Sequence, residues 1–245
     1  MSGQSLSGDS IKKASKSRAK KSVHGGAGAA GHVQEGMDTE LNAIMGKSKQ
    51  QTIPIDVAHG GTIEIGLSWN NVVRIREEGL INKMLKKMRE EGVDLDLGCL
   101  YELSGDRRGC LQAFGELFGA YGEPPYIHHG GDERTGDTEG FDEVMRVNGA
   151  RWSEINRILI YCYIYKGPQA WEEIYPEVTL SVPGVKDTKF HLSSYRSNLP
   201  VCALATLENV NGNIRLSPHA EYFHDHASMD RAFGYGLRWE DGKKN

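Results

Sequence analysis

The chain has 245 residues, 38% of them hydrophobic and 25% charged, with a net charge of −4. That is enough apolar content for a packed core, in a tail plus one large domain or in two small ones. An acidic balance argues against specific nucleic-acid binding, which draws its affinity from releasing phosphate counterions. No apolar run is long enough to cross a bilayer and no hydrophobic signal segment opens the chain, so the expectation is a cytoplasmic protein.

Residues 1–50 are rich in Ser, Gly, Ala and Lys, with almost no aromatic or β-branched residues, and read as a disordered tail. They carry a net charge of +4, with Lys12, Lys13, Lys16, Arg18, Lys20 and Lys21 in one basic cluster. That cluster is compatible with an anionic partner, but a solvated tail is the simpler reading. Residues 38–45 suggest a short helix with Leu41, Ile44 and Met45 on one side.

Order is expected from Gln51, in a domain spanning 51–242. Thr52–Ile55 and Thr62–Trp69 alternate apolar and polar residues as strands do, with His59-Gly60-Gly61 as the turn of a hairpin between them. Leu80, Ile81, Met84, Leu85 and Met88 then recur with helical spacing, which predicts a helical insertion near 77–91 ended by Gly92. In Val93–Leu103, strand alternation puts Leu95, Leu97, Cys99, Tyr101 and Leu103 on the core face. Asp94 and Asp96 then project together from the other face, an unfavourable pairing unless a cation or base joins them. Gly109–Phe114 returns as the hairpin partner of that strand.

Tyr126–His129 reads as a strand. Its adjacent histidines point to opposite faces and so do not chelate one ion; His128 and His129 are expected to be structural or solvent-facing. The strand leads into Gly130–Glu143, where six of fourteen residues are carboxylates, four are glycines and Arg134 is the sole base. Neighbouring carboxylates repel, glycine lets the backbone fold back, and carboxylate and carbonyl oxygens are the ligands of a hard cation such as calcium. The whole stretch 93–143 carries a net charge of −9. Calcium is therefore the expected cofactor.

Ile158–Tyr165 is apolar on both parities, the mark of a central strand covered on both sides. A short helix is expected at Ala170-Trp171. Val178–Val182, Thr188–Leu192, Val201–Val210 and Ile214–Phe223 are further strands, and Met229–Trp239 a short helix with an aromatic closing segment. Many short strands between turn signals predict a mainly β protein, a two-sheet antiparallel β-sandwich with a few short helices. Cys99, Cys110, Cys162 and Cys202 have no paired spacing and sit among apolar neighbours, so they read as buried free thiols in a reducing compartment rather than a zinc site.

Asp94–Leu103, the Gly131-Asp-Glu-Arg-Thr-Gly136 loop and the strand Ile158–Tyr165 resemble the TerD-domain family of tellurium-resistance and stress proteins. Pro124–Ile127, Tyr222-Phe223 and Met229–Leu237 resemble its TerA branch. The resemblance spans about 51–242 and implies a TerD-like β-sandwich that binds calcium through acidic loops. It implies a role in tellurite resistance and general stress response, in complexes with other products of the same gene cluster, near the membrane as a peripheral associate. The family's aspartate pair falls on Asp94 and Asp96, and its acidic loop on Asp132, Glu133, Asp137, Glu139, Asp142 and Glu143. Glu133 stands where the family has a shorter Asp or Asn, and neither the insertion nor the basic tail belongs to the family's pattern.

Three functions compete at this point. The first is a non-catalytic calcium-binding stress protein, with Asp94, Asp96, Asp132, Asp137 and Glu139 as ligands and Asp142 and Glu143 next in line. The second is a hydrolase using the acidic cluster with magnesium or manganese. It lacks a nucleophile with a base at recognisable spacing, which favours a protein that is not an enzyme. The third is a metal-free structural interaction domain with solvated acids.

Overall fold

The computed structural model describes residues 50–54, 60–76, 79, 81, 84–130, 141–169, 171–191 and 198–239. The chain divides into two units, Met1–Asp38 and Thr39–Asn245, of which the first lies wholly outside the described residues, as does the helix expected at 38–45.

The strands are β1 (Gln51–Ile53), β2 (Thr62–Ser68), β3 (Val72–Arg76), β4 (Met88–Gly92), β5 (Asp94–Leu103), β6 (Arg108–Gln112) and β7 (Gly119–Ala120). They continue as β8 (Ile127–His129), β9 (Glu143–Asn148), β10 (Ile155–Lys166), β11 (Glu177–Ser181), β12 (Thr188–His191), β13 (Val201–Val210) and β14 (Asn213–Phe223). A one-turn helix α1 (Trp171–Ile174), a 3-10 helix (Gly149–Glu154) and the helix α2 (His226–Phe233) complete the described elements. One sheet has the order β1-β14-β13-β10-β5-β6, the second β12-β11-β2-β9-β8-β7, and every pairing is antiparallel. Their inner faces share one core, to which Leu95, Leu97, Cys99, Ile158, Ile160 and Cys162 come from the first sheet and Ile63, Ile65, Leu67, Met145, Val147 and Leu180 from the second. This is the expected β-sandwich, packed by the alternation of inward residues along each strand.

Strand parity holds in detail. Leu95, Leu97, Cys99 and Leu103 enter the core, with Tyr101 packed against it. β10 lies between β5 and β13 and is buried on both faces, as its apolar run requires. Cys99, Cys162 and Cys202 are buried and Cys110 is half-buried; all four are free thiols. Burial pushes each of them up, Cys110 to about 11 despite its hydrogen bond with Tyr161.

Two expectations are corrected. β1 and β2 do not form a hairpin: β1 pairs with β14 in the first sheet and β2 with β9 and β11 in the second, so the connection passes between layers. Both segments alternate as strands do, but alternation carries no information about partners. The helix near 77–91 is also displaced at its C-terminal end, because Met88–Gly92 is a strand paired with Val72–Arg76 in a separate two-stranded sheet. Ile81, Met84 and Leu85, expected on a packing stripe, are exposed; residues 77, 78, 80, 82 and 83 lie outside the described residues.

The outer face of the first sheet has its own cover. Leu100, Leu159, Tyr161, Tyr163, Val201 and Ala203 pack under Met229 of α2 and Tyr235 of the closing segment. Helix α2 starts at Asp225, whose carboxylate accepts from Ser228 N (2.6 Å), and ends at Gly234 in the left-handed region (φ 69°). Asp230, buried on the helix, then accepts from Gly236 N (2.7 Å), Leu237 N (2.7 Å) and Trp239 Nε1 (2.9 Å), folding the chain back on itself. Arg157 of β10 ties this cover to the sheet: it donates to Glu102 (3.0 and 2.9 Å) and to the carbonyls of Phe233 (2.9 Å) and Gly234 (3.1 Å), and lies 4.1 Å from the Tyr235 ring centre. Gly98 permits the close packing, since a Cβ there would sit 2.4 Å from the Tyr161 ring.

Two histidines are trapped in this cover. His226 stacks on Trp239 and meets Tyr161 and Tyr163 edge-on; His219 bonds Thr206 Oγ1 (2.7 Å) and packs against Phe233. Burial holds both below the usual histidine value of 6.5, against a smaller opposing pull from Asp225 on His226 and from Glu221 and Glu208 on His219. The unfolded chain therefore binds more protons than the folded one just below that value, and stability falls as pH falls. Urea unfolding should show a lower midpoint at about pH 5.5 than at about pH 7.5, and a His219→Gln/His226→Phe variant should flatten that slope. An unchanged slope in the variant would assign the pH dependence to other groups.

Candidate functional site

β6 pairs with β5 only from Gly98 to Glu102, so the N-terminal part of β5 has no β6 neighbour. A strand edge inside a sandwich must find partners for its N–H and C=O groups. At Leu97 these come from side chains of the opposite sheet. Glu143 of β9 accepts from Leu97 N through Oε2, and His129 of β8 donates from Nε2 to Leu97 O (2.8 Å). Glu143 shares the inward parity of Met145 and Val147, and His129 that of Ile127. The imidazole is fully buried and Glu143 is 3% exposed, with His129 Nε2 3.9 Å from Glu143 Oε2.

Asp96 lies one residue earlier, on the outer face, and is 6% exposed. Its Oδ2 accepts from the Tyr163 hydroxyl, directly across the β5–β10 register. The Tyr163 hydroxyl is pushed far above its usual range, first by burial, then by its bond to Asp96 and by the charges of Asp96 and Glu143. Two carboxylates from different sheets thus act on one phenol. Asp94, half-buried, lies opposite Lys166 in the register. The two aspartates share a face as expected, but for Asp96 that face is the inner surface of the aromatic cover rather than solvent.

The acidic segment leaves from this junction and returns to it. Its ends are neighbours because β8 and β9 are antiparallel partners. Gly130 N donates to Val144 O (2.8 Å) and Asp142 N to Leu67 O (3.0 Å). Asp142 Oδ2 accepts from Trp69 N (3.0 Å), and Trp69 Nε1 donates to Val93 O (3.3 Å), just before Asp94. Phe141 lies over Gly66, where a Cβ would meet the ring at 2.2 Å.

Of the residues expected from sequence, Asp94, Asp96, Asp142 and Glu143 are described and converge on this end of the sandwich. Asp132, Glu133, Asp137 and Glu139 lie outside the described residues. Among the described residues no group of three or more His, Cys, Asp or Glu side chains is arranged to hold a metal ion. Asp96, Asp142 and Glu143 each give one oxygen to a protein donor. Tyr163, His129 and Trp69 complete the junction and were not singled out as site residues by sequence; the parity of Tyr163 in its strand and of His129 beside Ile127 is the signal that points to them.

These features define a two-layer antiparallel β-sandwich protein with an acidic loop rooted where the two sheets are tied together. No family model matches the chain. It is 38% identical over 188 residues to the tellurium resistance protein TerA of Alcaligenes sp, a match covering 76% of this chain and 54% of that protein. The chain belongs to the family of tellurium-resistance proteins to which TerA belongs, and spans about half the length of that curated relative. Among solved structures it is similar to a homologue of the telluride resistance protein TerD from Streptomyces coelicolor A3(2), at TM-score 0.45 and 15% identity, covering 69% of this chain and 94% of that one. A crystal structure of a protein of unknown function is similar at TM-score 0.45 and 12% identity, covering 72% and 98%.

Removing Glu143 tests the tie. Glu143→Ala leaves the buried Leu97 N–H without its acceptor and should cost about 1–3 kcal/mol in chemical denaturation, whereas Glu143→Gln keeps an acceptor and should cost clearly less. Equal losses in the two variants would mean that Glu143 does not act through this hydrogen bond.

Proposed function

We propose that this chain is a calcium-binding, non-catalytic interaction module of a tellurium-resistance protein. The observation that carries the reading is the convergence just described: both ends of the Gly130–Glu143 segment are held beside the strand of Asp94 and Asp96, with Glu143 bonded to the residue after Asp96. Six carboxylates and one arginine in that segment leave excess negative charge next to the buried Asp96 and the half-buried Asp94. Buried charge is costly unless compensated, and an oxygen-rich, glycine-rich loop suits calcium better than magnesium, which demands a tight octahedral shell and keeps its waters.

Asp94, Asp96, Asp132, Asp137 and Glu139 are the proposed ligands, with Asp142 and Glu143 anchoring the loop and available to complete the shell. The described imidazoles of His129, His219 and His226 are engaged in hydrogen bonding or ring packing, which supports a binding role over general acid–base chemistry. Tellurite resistance and stress response come to this chain from its family, as do other proteins of the same gene cluster as partners. The free thiols suit a reducing, cytoplasmic setting. Among the described residues no helix is long and apolar enough to cross a membrane.

Calcium should raise the melting temperature of the full chain and chelator should lower it, since a ligand specific for the native state adds about 2.7 kcal/mol at a hundredfold excess over Kd. Asp96→Asn and Asp132→Asn should each weaken that response, and Asp106→Asn, in an exposed turn, should leave it intact. No calcium-induced shift in the wild type, or an equal effect of the Asp106 change, would sink the assignment.

A further inference from the structure

The β3–β4 hairpin belongs to neither large sheet. Its base is anchored: Val73 is buried in the core, Ile75 packs against it, and Val93 N donates to Asn71 O (2.8 Å). Its far end is not. Nine large apolar side chains are exposed among the described residues, and five of them, Val72, Ile81, Met84, Leu85 and Met88, fall in this one segment. Ile81, Met84 and Leu85 are 75%, 86% and 70% exposed. Concentrated exposed apolar surface marks an interaction site, whereas scattered single residues do not.

The charge of the tip sets it apart from the rest of the domain. Lys86, Lys87 and Arg89 are exposed beside these apolar residues, with Arg89 in an ion pair with Glu91 (2.8 Å). Residues 79–89 contain four bases and no acid, while Glu77, Glu78, Glu90 and Glu91 flank them. Everything from Gln51 onward nevertheless carries a net charge of −8. A basic, apolar projection on an acidic body is complementary to a negatively charged, apolar-cored partner and repels such a partner elsewhere. Two classes of occupant compete, a protein and a lipid surface. Protein interfaces are depleted in lysine and enriched in aromatic residues; residues 79–89 contain three lysines and no aromatic residue. Aliphatic and methionine side chains flanked by lysines, whose stems lie along apolar surface while the ammonium stays in the headgroup layer, match the lipid interface instead.

We propose that the tip of the β3–β4 hairpin is a contact site for an anionic lipid surface. The apolar side chains of Ile81, Met84 and Leu85 enter the headgroup–acyl boundary, and Lys86 and Lys87 meet lipid phosphates. One shallow insertion of this size gives reversible rather than permanent attachment. The assignment is independent of the calcium reading, because the residues at the tip are not among the proposed calcium ligands.

The test is sedimentation of the full chain with vesicles of phosphatidylcholine containing about 30% phosphatidylglycerol, against phosphatidylcholine alone, each in calcium and in chelator. Wild type should sediment with the anionic vesicles and be released by salt. Leu85→Glu and the Lys86→Glu/Lys87→Glu pair should each cut the bound fraction roughly tenfold in whichever cation condition binds. Phe114→Glu, at an exposed aromatic side chain in the turn after β6, should leave it unchanged. No sedimentation of wild type in either condition, or hairpin variants that bind as wild type does, or an equal loss in Phe114→Glu, overturns the proposal. A wild type that is oligomeric by light scattering without vesicles and monomeric as Leu85→Glu would make the tip a self-contact, and overturns it too. Melting curves confirm that each variant is folded; were Leu85→Glu to lose its fold, the lysine pair, exposed on the same tip, carries the comparison.

Discussion

The backbone of Leu97 is where the two layers of this sandwich are tied by hydrogen bonds rather than by packing alone. With β6 stopping at the register of Gly98, the earlier residues of β5 have no strand on that side among the described residues. Unpartnered main-chain groups inside a protein cost free energy comparable to a lost hydrogen bond. Glu143 and His129 reach across the core to supply one acceptor and one donor. Strands that are neighbours in the second sheet therefore bind one residue of the first, and the separation of the layers at this end follows from the reach of those two side chains.

That requirement draws the chemistry of the site with it. To place a carboxylate on Leu97 N, β9 must begin at Glu143, with the acidic segment immediately before it. To place an imidazole on Leu97 O, β8 must end at His129, so the segment departs within one residue of where it returns. Asp96 then lies beside this tie because it precedes Leu97, and Tyr163 holds it because β10 is in register with β5 at that position. The convergence of acids is thus a consequence of how one strand edge is satisfied. It need not have arisen for metal binding alone, yet it leaves a concentration of negative charge that a cation would stabilise.

Much of this was legible in sequence where the determining interactions are local. Alternation in Val93–Leu103 assigned the core face correctly, and the two-sided apolar run of Ile158–Tyr165 identified the central strand. The same logic failed where pairing is non-local. Thr52–Ile55 and Thr62–Trp69 look alike as strands, and only the whole fold decides that one joins β14 and the other β9 and β11. The apolar residues at Leu80–Met88 have helical spacing, and Leu85 N donates to Ile81 O (2.9 Å) as in a helical turn, but spacing reports a packing surface only if something packs on it. Glu143 was legible as an acid of the loop and not as the partner of Leu97, although its parity with Met145 and Val147 places it inward. A carboxylate at an inward strand position is a sign of a specific buried partner, because an unpartnered one would be too costly to bury.

The hairpin and the acidic segment are rooted in the same few residues. Trp69 N holds Asp142, Trp69 Nε1 holds Val93 O, and Asn71 O holds Val93 N, so the chain that enters the hairpin and the chain that leaves it both touch the junction of the acidic loop. A basic, apolar projection and a strongly acidic loop thus share a root. For an anionic surface these are opposing terms: lysines attract and carboxylates repel over a Debye length of about 8–10 Å at physiological ionic strength. The lysines of the tip lie beyond the five paired residues Val72–Arg76, roughly 15 Å along the strands from that root. That exceeds the screening length, so the acids at the root and the bases at the tip act on a surface as separate features. Trp69, Asn71 and Val93 therefore fix where both segments start without joining their charges.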